Sequence, residues 1–246
     1  MDRMIYTAMT GAKHILEQQA TVSNNLANVS TTGFRAQLDT FRAVPVQGEG
    51  MNTRTFVVSN TVGADFRPGA IQQTGRDLDV AVQGDGWFVV QRADGSEAYT
   101  RSGSFKVNEN GLLQTHDGLS VMGDGGPISI PPNSTVAIAN DGTISTTSSL
   151  TTPAVPIALD RLRLVNPQQD MLTRADDGLF VLKDGSQADT DANVKVIGGA
   201  LEASNVNAVD AMVNMISLAR QFELNMNLLK NAENNADKAN QLFSLG

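Results

Sequence analysis

The sequence predicts a mixed, mainly β fold in which long N- and C-terminal α-helices pair as a coiled coil and an all-β domain is inserted between them. Three observations carry this prediction. Apolar residues recur at alternating spacings of three and four residues near each end of the chain, and turn signals with short apolar runs fill the middle. The expected domains are the N-terminal helix (1–33), an extended connector (34–68), the β domain (69–203) and the C-terminal helix (204–246).

The N-terminal helix is predicted by a seam of apolar residues with one polar interruption at Gln19. The seam residues are Ile5, Ala8, Ala12, Ile15, Val22, Leu26 and Val29. This spacing places them on one face of a helix, as in a heptad repeat. The alanines among them have small side chains, which let a neighbouring helix approach closely.

The end of this helix carries the unusual stretch VSNNLANVSTTGFRAQ, residues 22–37. Its asparagine and hydroxyl side chains can bond to local backbone or across to neighbouring helices. Gly33 can adopt the left-handed conformation that ends a helix, after which Phe34 would anchor the departing chain and Arg35 would pair with an acidic group. A catalytic loop, a helix cap and a docking surface are all compatible with this composition.

The middle of the chain contains six Asx-Gly turn signals. They are ADGS (93–96), ENGL (109–112), HDGL (116–119), NDGT (140–143), DDGL (176–179) and KDGS (183–186). Short alternating or apolar runs such as DLDVAV and GWFVVQ lie between them and have the length of β-strands. Their spacing predicts an all-β sandwich or barrel, with Trp87 and Phe88 in its core.

The C-terminal helix is predicted by a second seam, in which Asn225 is the polar position. The apolar seam residues are Ala208, Ala211, Met215, Leu218, Phe222, Leu229, Ala232, Ala236, Ala239 and Phe243. No glycine interrupts the chain between Gly199 and Gly246, so the helix is expected to be far longer than the average of about 11–12 residues. Other apolar residues lie off this seam and predict burial on several sides of the helix. They are Val209, Met212, Val213, Ile216, Met226 and Leu228.

The composition excludes several functional classes. The chain has 246 residues, a formal net charge of −8 and no cysteine, which rules out disulfides, thiol catalysis and thiolate metal sites. Lys and Arg are nowhere concentrated, so nucleic acid is not an expected partner. No apolar run is long enough to predict a membrane span, and the charged N-terminal segment does not match a secretory signal.

The candidate chemical motifs are weak. His14 and His116 are too few for a zinc site in a chain without cysteine, and DTDAN (189–193) lacks the glycine and glutamate that complete a calcium loop. Asp77 and Asp79 could form a carboxylate pair on one face of a strand, which is the basis of a hydrolase alternative. We expect no catalytic, metal-binding or cofactor-binding residues, no cofactor and no enzymatic activity.

Three segments together resemble the family of bacterial flagellar rod and hook proteins. NNLANVSTTGFR (24–35) is similar to the N-terminal motif of that family, and ASNVNAVDAMVNMISLARQFELNMNLL (203–229) is similar to its C-terminal motif. The stretch DLDVAVQGDGWFVVQRADGSEAYTRSGSFKVNENGLL (77–113) looks like the family's β domain. Within the family, the opening residues 1–28 look most like the proximal rod subgroup, and the distal rod subgroup is the alternative.

The resemblance implies a structural subunit of the flagellar basal-body rod. Such a subunit would leave the cell through the flagellar type III apparatus without a cleaved signal peptide. It would assemble in the periplasm into the drive shaft that transmits torque from motor to hook. The implied partners are other rod proteins, copies of the same chain and the export apparatus, with no nucleic acid and no membrane span.

The resemblance also implies that both seams and the polar stretch lie at subunit interfaces, where the polar stretch would fix the register between subunits and Gly33 would direct the chain outward. The expected interface residues are Ile5, Ala8, Ala12, Ile15, Val22, Asn25, Leu26, Asn28, Val29, Gly33, Phe34, Met215, Leu218, Phe222, Asn225, Leu229, Ala232, Ala236 and Phe243. An oligomeric β-domain binding module is the remaining alternative.

Overall fold

The computed structural model of the chain describes residues 2–45, 55–59, 63–148 and 155–244. Its helices are α1 (Asp2–Ala27), α2 (Ala208–Ser244) and a 3-10 turn at Gln169–Met171. The strands are β1 (Gln37–Leu38), β2 (Phe41–Pro45), β3 (Thr55–Ser59), β4 (Gly63–Ala64), β5 (Ile71–Gln73), β6 (Val80–Gln83), β7 (Trp87–Gln91), β8 (Glu97–Thr100), β9 (Phe105–Val107), β10 (Leu113–Thr115), β11 (Ser120–Gly123), β12 (Gly126–Pro127), β13 (Ser134–Ile138), β14 (Thr143–Ser148), β15 (Pro156–Arg161), β16 (Leu164–Val165), β17 (Leu172–Arg174), β18 (Phe180–Leu182), β19 (Lys195–Gly198) and β20 (Ala200–Glu202).

The chain forms two compact units. The helical unit takes residues 1–28, 37–63 and 206–246, and the β unit takes residues 29–36 and 64–205. In the described part of the chain, neither helix carries an apolar stretch of the length needed to cross a membrane.

In the helical unit, α1 packs against α2, and the hairpin β2–β3 is joined to α1 through His14. The Nε2 atom of His14 lies 2.8 Å from the carbonyl oxygen of Val57, and its ring packs edge-on against Phe41 at a centroid distance of 5.7 Å. The structure uses His14 to hold the hairpin on the helix.

The predicted coiled coil between the two helices is wrong. A coiled-coil seam would be buried along its length, because each seam side chain fills a hole between residues of the partner helix. The seam is instead buried only in places, at Ala8, Ala12 and Ile15 of α1 and at Ala211, Leu218 and Ala232 of α2. The seam residues between them are only half-buried, and α1, at 26 residues, is too short to cover the 37 residues of α2.

Strands make up most of the described secondary-structure elements, which fits the mixed, mainly β class. The largest sheet of the β unit has the antiparallel strand order β17-β18-β8-β7-β11-β10-β9, with β12 beside β11 and β16 beside β7. A three-stranded sheet β13-β14-β15 and the pairs β6–β19 and β5–β20 belong to the same unit. All six predicted Asx-Gly turns are confirmed, since the glycine of each has a positive φ.

Strand β7 lies between two apolar clusters, which explains its unbroken apolar sequence WFVV. Phe88 faces one cluster and packs edge-on against Phe105 at 5.3 Å, while Trp87 faces the other and lies 4.7 Å from Phe180. The prediction that Trp87 and Phe88 fill the β core is confirmed. The segment 29–36 belongs to the unit that is built on this two-sided core.

Candidate assembly surface

The predicted interface residues fall into four groups. Five are buried where the two helices pack together: Ala8, Ala12, Ile15, Leu218 and Ala232. Nine more in the helical unit are half-buried: Ile5, Val22, Asn25, Leu26, Asn28, Met215, Phe222, Asn225 and Leu229. Val29, Gly33 and Phe34 belong to the β unit, and the side chains of Ala236 and Phe243 lie outside the described residues.

The two helices also expose many large apolar side chains away from their mutual contact. In α1 these are Tyr6, Met9 and Leu16, and in α2 they are Val209, Met212, Val213, Ile216, Leu224, Met226 and Leu228. Most of the α2 set was identified from the sequence as lying off the seam, whereas the α1 set and Leu224 were missed. Tyr6, Met9 and Leu16 each follow a seam residue directly, and this shifted repeat was the available signal in α1.

Four of these residues form what we call the outer face of α2: Val209, Val213, Ile216 and Leu224. They are between 57 and 68 % exposed. Because a helix turns through about 100° per residue, this face lies roughly opposite Ala211 and Leu218, which pack toward α1. Helix α2 therefore has one apolar face used inside the chain and a second one that the chain itself leaves in solvent.

Such a face is unusual for a protein that functions as a monomer. Exposed apolar patches on soluble proteins usually mark interaction sites, and this face is apolar on both sides of one exposed cation, Arg220. Full burial of one large aliphatic side chain is worth about 1.5–3 kcal/mol, so a second helix laid on this face would gain several such contributions. The outer face of α2 is thus equipped for association with other chains.

The polar stretch at the end of α1 bonds to the chain's own backbone. The side-chain amide of Asn25 accepts a hydrogen bond from the backbone N–H of Gln37 at 2.8 Å and donates one to the Gln37 carbonyl at 2.9 Å. Asn28 donates from its side chain to the carbonyl of Asn24 at 2.9 Å. The sequence predicts that these asparagines bond either to local backbone or across to neighbouring helices. The structure shows the bonds to local backbone where the helix ends.

The segment 29–36 is held in the β unit by a buried group of three charges. Arg35 is fully buried, and its Nη1 lies 2.7 Å from Oε1 of Glu202, which is also buried. Nη1 of Arg101 lies 3.4 Å from the other carboxylate oxygen of Glu202. The acidic partner that the sequence predicts for Arg35 is therefore Glu202, although Glu202 was not identified from the sequence.

This group carries a net positive charge, because two buried cations share one buried anion. Burial lowers the pKa of the Arg101 guanidinium to about 10, against the opposing effect of the Glu202 carboxylate. Arg101 therefore stays charged at neutral pH, and Glu202 is the counter-charge for both arginines. The same carboxylate also accepts a hydrogen bond from the backbone N–H of Gly69 at 2.8 Å.

The backbone of the segment is bonded residue by residue. Gly33 donates its N–H to the backbone carbonyl of Glu202 at 2.8 Å, and Ala36 donates its N–H to the side chain of Asn205 at 2.7 Å. Arg174 donates to the carbonyl of Arg35 at 2.9 Å. Its guanidinium also lies 4.6 Å from the ring centre of Phe34, a cation–π contact that confirms the anchoring role predicted for Phe34.

Gly33 has a positive φ of 69°, as predicted, but it does not end the helix, because α1 stops at Ala27. Its role is to let two backbones meet. A Cβ atom at this position would lie 2.3 Å from the carbonyl carbon of Arg101 and 2.5 Å from the backbone nitrogen of Ser102. Only glycine fits a left-handed conformation this close to another backbone segment.

Gly33→Ala is expected to destabilise the β unit more than Gly75→Ala. Both glycines have a φ of +69°, so both variants carry the left-handed cost of about 1–2 kcal/mol. No atom of the described residues lies within 4 Å of a Cβ at Gly75, whereas Gly33→Ala adds an overpacking cost of about 1–3 kcal/mol. Urea unfolding followed by the fluorescence of Trp87, the single tryptophan, measures both. Equal losses would show that the close approach at Gly33 is unimportant.

The Asp77–Asp79 pair proposed for hydrolysis is not brought together on one face. Asp77 is exposed, while Asp79 is buried and bonded to Thr74 at 2.8 Å and to Arg76 at 3.2 Å. Asp79 is thus a structural carboxylate that ties a turn to the sheet. Among the described residues, no three His, Cys, Asp or Glu side chains are grouped so that they could hold a metal ion.

Comparison with known proteins gives a consistent result along the whole chain. Three family models match: the flagella basal body rod protein model at residues 5–35, the flagellar hook protein FlgE/F/G D1 domain at residues 81–146, and the flagellar basal body rod FlgEFG protein C-terminal model at residues 197–242. The flagellar basal-body rod protein FlgF of Salmonella typhimurium is 47 % identical over 251 residues, and that of Escherichia coli K12 is 48 % identical over 252 residues. Both alignments cover 100 % of this chain and 100 % of the relative. The flagellar basal-body rod protein FlgG of Buchnera aphidicola (subspecies Acyrthosiphon pisum) is 34 % identical, covering 90 % of this chain and 92 % of the relative.

Proposed function

The chain belongs to the FlgF family of flagellar basal-body rod proteins, and we propose that it is a structural subunit of the proximal rod, part of the axial drive shaft that transmits torque from motor to hook. The observation that carries this proposal is the outer face of α2, whose four apolar side chains are between 57 and 68 % exposed on the single chain. In the rod this face packs against the terminal helices of neighbouring subunits. The half-buried seam residues of both helices contribute to further contacts between subunits.

Of the interface residues expected from the sequence, the half-buried ones keep this role in the proposal, while Ala8, Ala12, Ile15, Leu218 and Ala232 are already buried within the single chain. Asn225 is half-buried in α2, and Gly11 of α1 lies so close that a Cβ there would be 3.3 Å from the Asn225 side-chain oxygen. A polar residue at such a position can fix the register of packed helices, as buried asparagines do in other helical assemblies. The partners are copies of this chain and other rod proteins.

The route to the rod is also part of the proposal. The subunit passes through the flagellar type III export apparatus and assembles in the periplasm, without cleavage of a signal peptide. A chain without cysteine crosses into an oxidising compartment without the risk of wrong disulfides, which supports this route. The role is structural rather than enzymatic.

A distal rod subunit is the alternative to a proximal one. The FlgG relative is 34 % identical, against 47 and 48 % for the two FlgF relatives, and this difference favours the proximal rod.

Expression of the chain in cells that lack the native proximal rod protein is expected to restore swimming. Purified basal bodies from those cells should contain the chain in the rod fraction, detected with an antibody or an epitope tag. A chain that is expressed and soluble but absent from basal bodies would contradict the proposal. Recovery in distal rod fragments alone, with rescue of a distal rod mutant, would favour the alternative.

A further inference from the structure

The three-stranded sheet β13-β14-β15 extends beyond the core at β15. Among the described residues no strand pairs with the outer edge of β15. Val155 and Ile157 are 59 and 64 % exposed. Ile157 pairs with Thr146, which pairs with Val136 in the next strand, and both of these are buried. Ile157 therefore lies on the side of the sheet that faces the core, at a point which the core no longer covers.

The opposite edge of the same sheet borders a groove. The groove has a volume of about 790 Å³, with residues 131–136, including the start of β13, on one side and residues 107–111 on the other. No described strand pairs with the outer edge of β13. Val107 is 38 % exposed and Leu78 is half-buried beside the core, so the groove also offers apolar side chains. An unpaired strand edge beside a groove that offers apolar side chains is the arrangement that accepts an extended strand.

We propose that β15 of one copy of this chain adds to the edge of β13 in the next copy, with Ile157 packed against Leu78 and Val107. The two open edges lie on opposite sides of one sheet, because β14 separates them. A contact between two different surfaces of the same chain repeats from copy to copy, and a repeat that does not close produces a helical filament. This contact rests on the proposed function, since the rod is the assembly in which copies meet.

The occupant is a strand of a second copy because the chain supplies both halves of the contact. Natural proteins usually protect strand edges with charges or proline. In β15 the protective residues lie at the ends of the strand, with Pro156 at its start and Asp160 and Arg161 at its end. The apolar centre of the strand is therefore left open. Main-chain hydrogen bonds would fix the register of the added strand, and burial of Ile157 would supply the apolar contribution.

Cysteine cross-linking tests the contact, since the chain has no cysteine of its own. Thr135 of β13 and Ala158 of β15 are both exposed. Chains carrying Thr135→Cys and chains carrying Ala158→Cys, each with a different tag, are co-expressed in swimming cells that lack the native copy and are treated with a short bismaleimide. Because each chain has one cysteine, every link joins two molecules. A product with both tags is expected, reduced at least tenfold when Ile157→Asp is added to the Ala158→Cys chain.

The matched control uses chains carrying Asp117→Cys in place of chains carrying Ala158→Cys. Asp117 lies in an exposed turn, so these chains should give no mixed product with chains carrying Thr135→Cys. Links only between identical variants, only to other proteins, or equally strong with the control would overturn the strand contact. Absence of any mixed link in swimming cells would also overturn it while leaving the rod role intact. Failure of the unsubstituted chain to restore swimming would instead count against the proposed function, and against the strand contact that rests on it.

Discussion

Glu202→Gln is expected to lower the free energy of unfolding of the β unit by about 3–5 kcal/mol, the usual cost of removing one partner from a buried ion pair. The substitution keeps the shape of the side chain and removes its charge. Arg35 and Arg101 would then be two buried cations that have lost the carboxylate with which both form an ion pair. Urea unfolding followed by Trp87 fluorescence measures the loss, and Arg101 itself lies 5.5 Å from the centre of that indole ring.

Asp177→Asn is the matched control for this prediction. Asp177 also pairs with an arginine, Arg92, at 2.7 Å, but its side chain is 43 % exposed. Exposed pairs contribute about 0–1 kcal/mol, so the control should change stability little. Similar small losses in both variants would show that the buried group does not hold the segment 29–36 in place. A large loss in Glu202→Gln alone would make this group the main anchor of the segment.

The β unit was well predicted from sequence because its signals are local. An Asx-Gly turn needs only its own residues to adopt a positive φ, and the run WFVV is apolar whichever partners it finds. The cores around Trp87 and Phe88 follow from those strands. The sequence predicted an acidic partner for Arg35 but did not identify which residue it is. Glu202 is far from Arg35 along the chain, and only the fold brings the two together.

The helical ends were harder to predict for a physical reason. A spacing of three and four residues shows which side chains share a face, but it does not show what covers that face. The same spacing fits the chain's own helix contact at Ala8 and Leu218, a coiled coil, or an interface with other chains. The sequence therefore indicated an apolar helix correctly and a coiled coil wrongly. Likewise, α1 ends at Ala27 and not near Gly33, although Gly33 has the predicted left-handed conformation.

Ile216→Asp is expected to abolish swimming while leaving the isolated chain folded. Ile216 is 57 % exposed on the single chain, and exposed substitutions usually change stability by no more than about 0.5 kcal/mol. In the rod, the same position would place a carboxylate in an apolar interface, where an unpaired polar group costs about 2–7 kcal/mol to bury. The defect would recur at every copy of the subunit. Circular dichroism measures the fold, and swimming with recovery of basal bodies measures assembly.

The position of Ile216 on the outer face is what makes this variant informative. Leu218→Asp would also be expected to stop swimming, but Leu218 is buried in the contact with α1, so the loss could come from unfolding alone. Asn214→Asp adds the same charge at an exposed polar position of α2 and should leave both fold and swimming unchanged. If Ile216→Asp chains swim as well as Asn214→Asp chains, the outer face is not buried in the rod. If Ile216→Asp chains stay folded but accumulate unassembled, the exposed apolar residues of α2 bind neighbouring subunits in the rod.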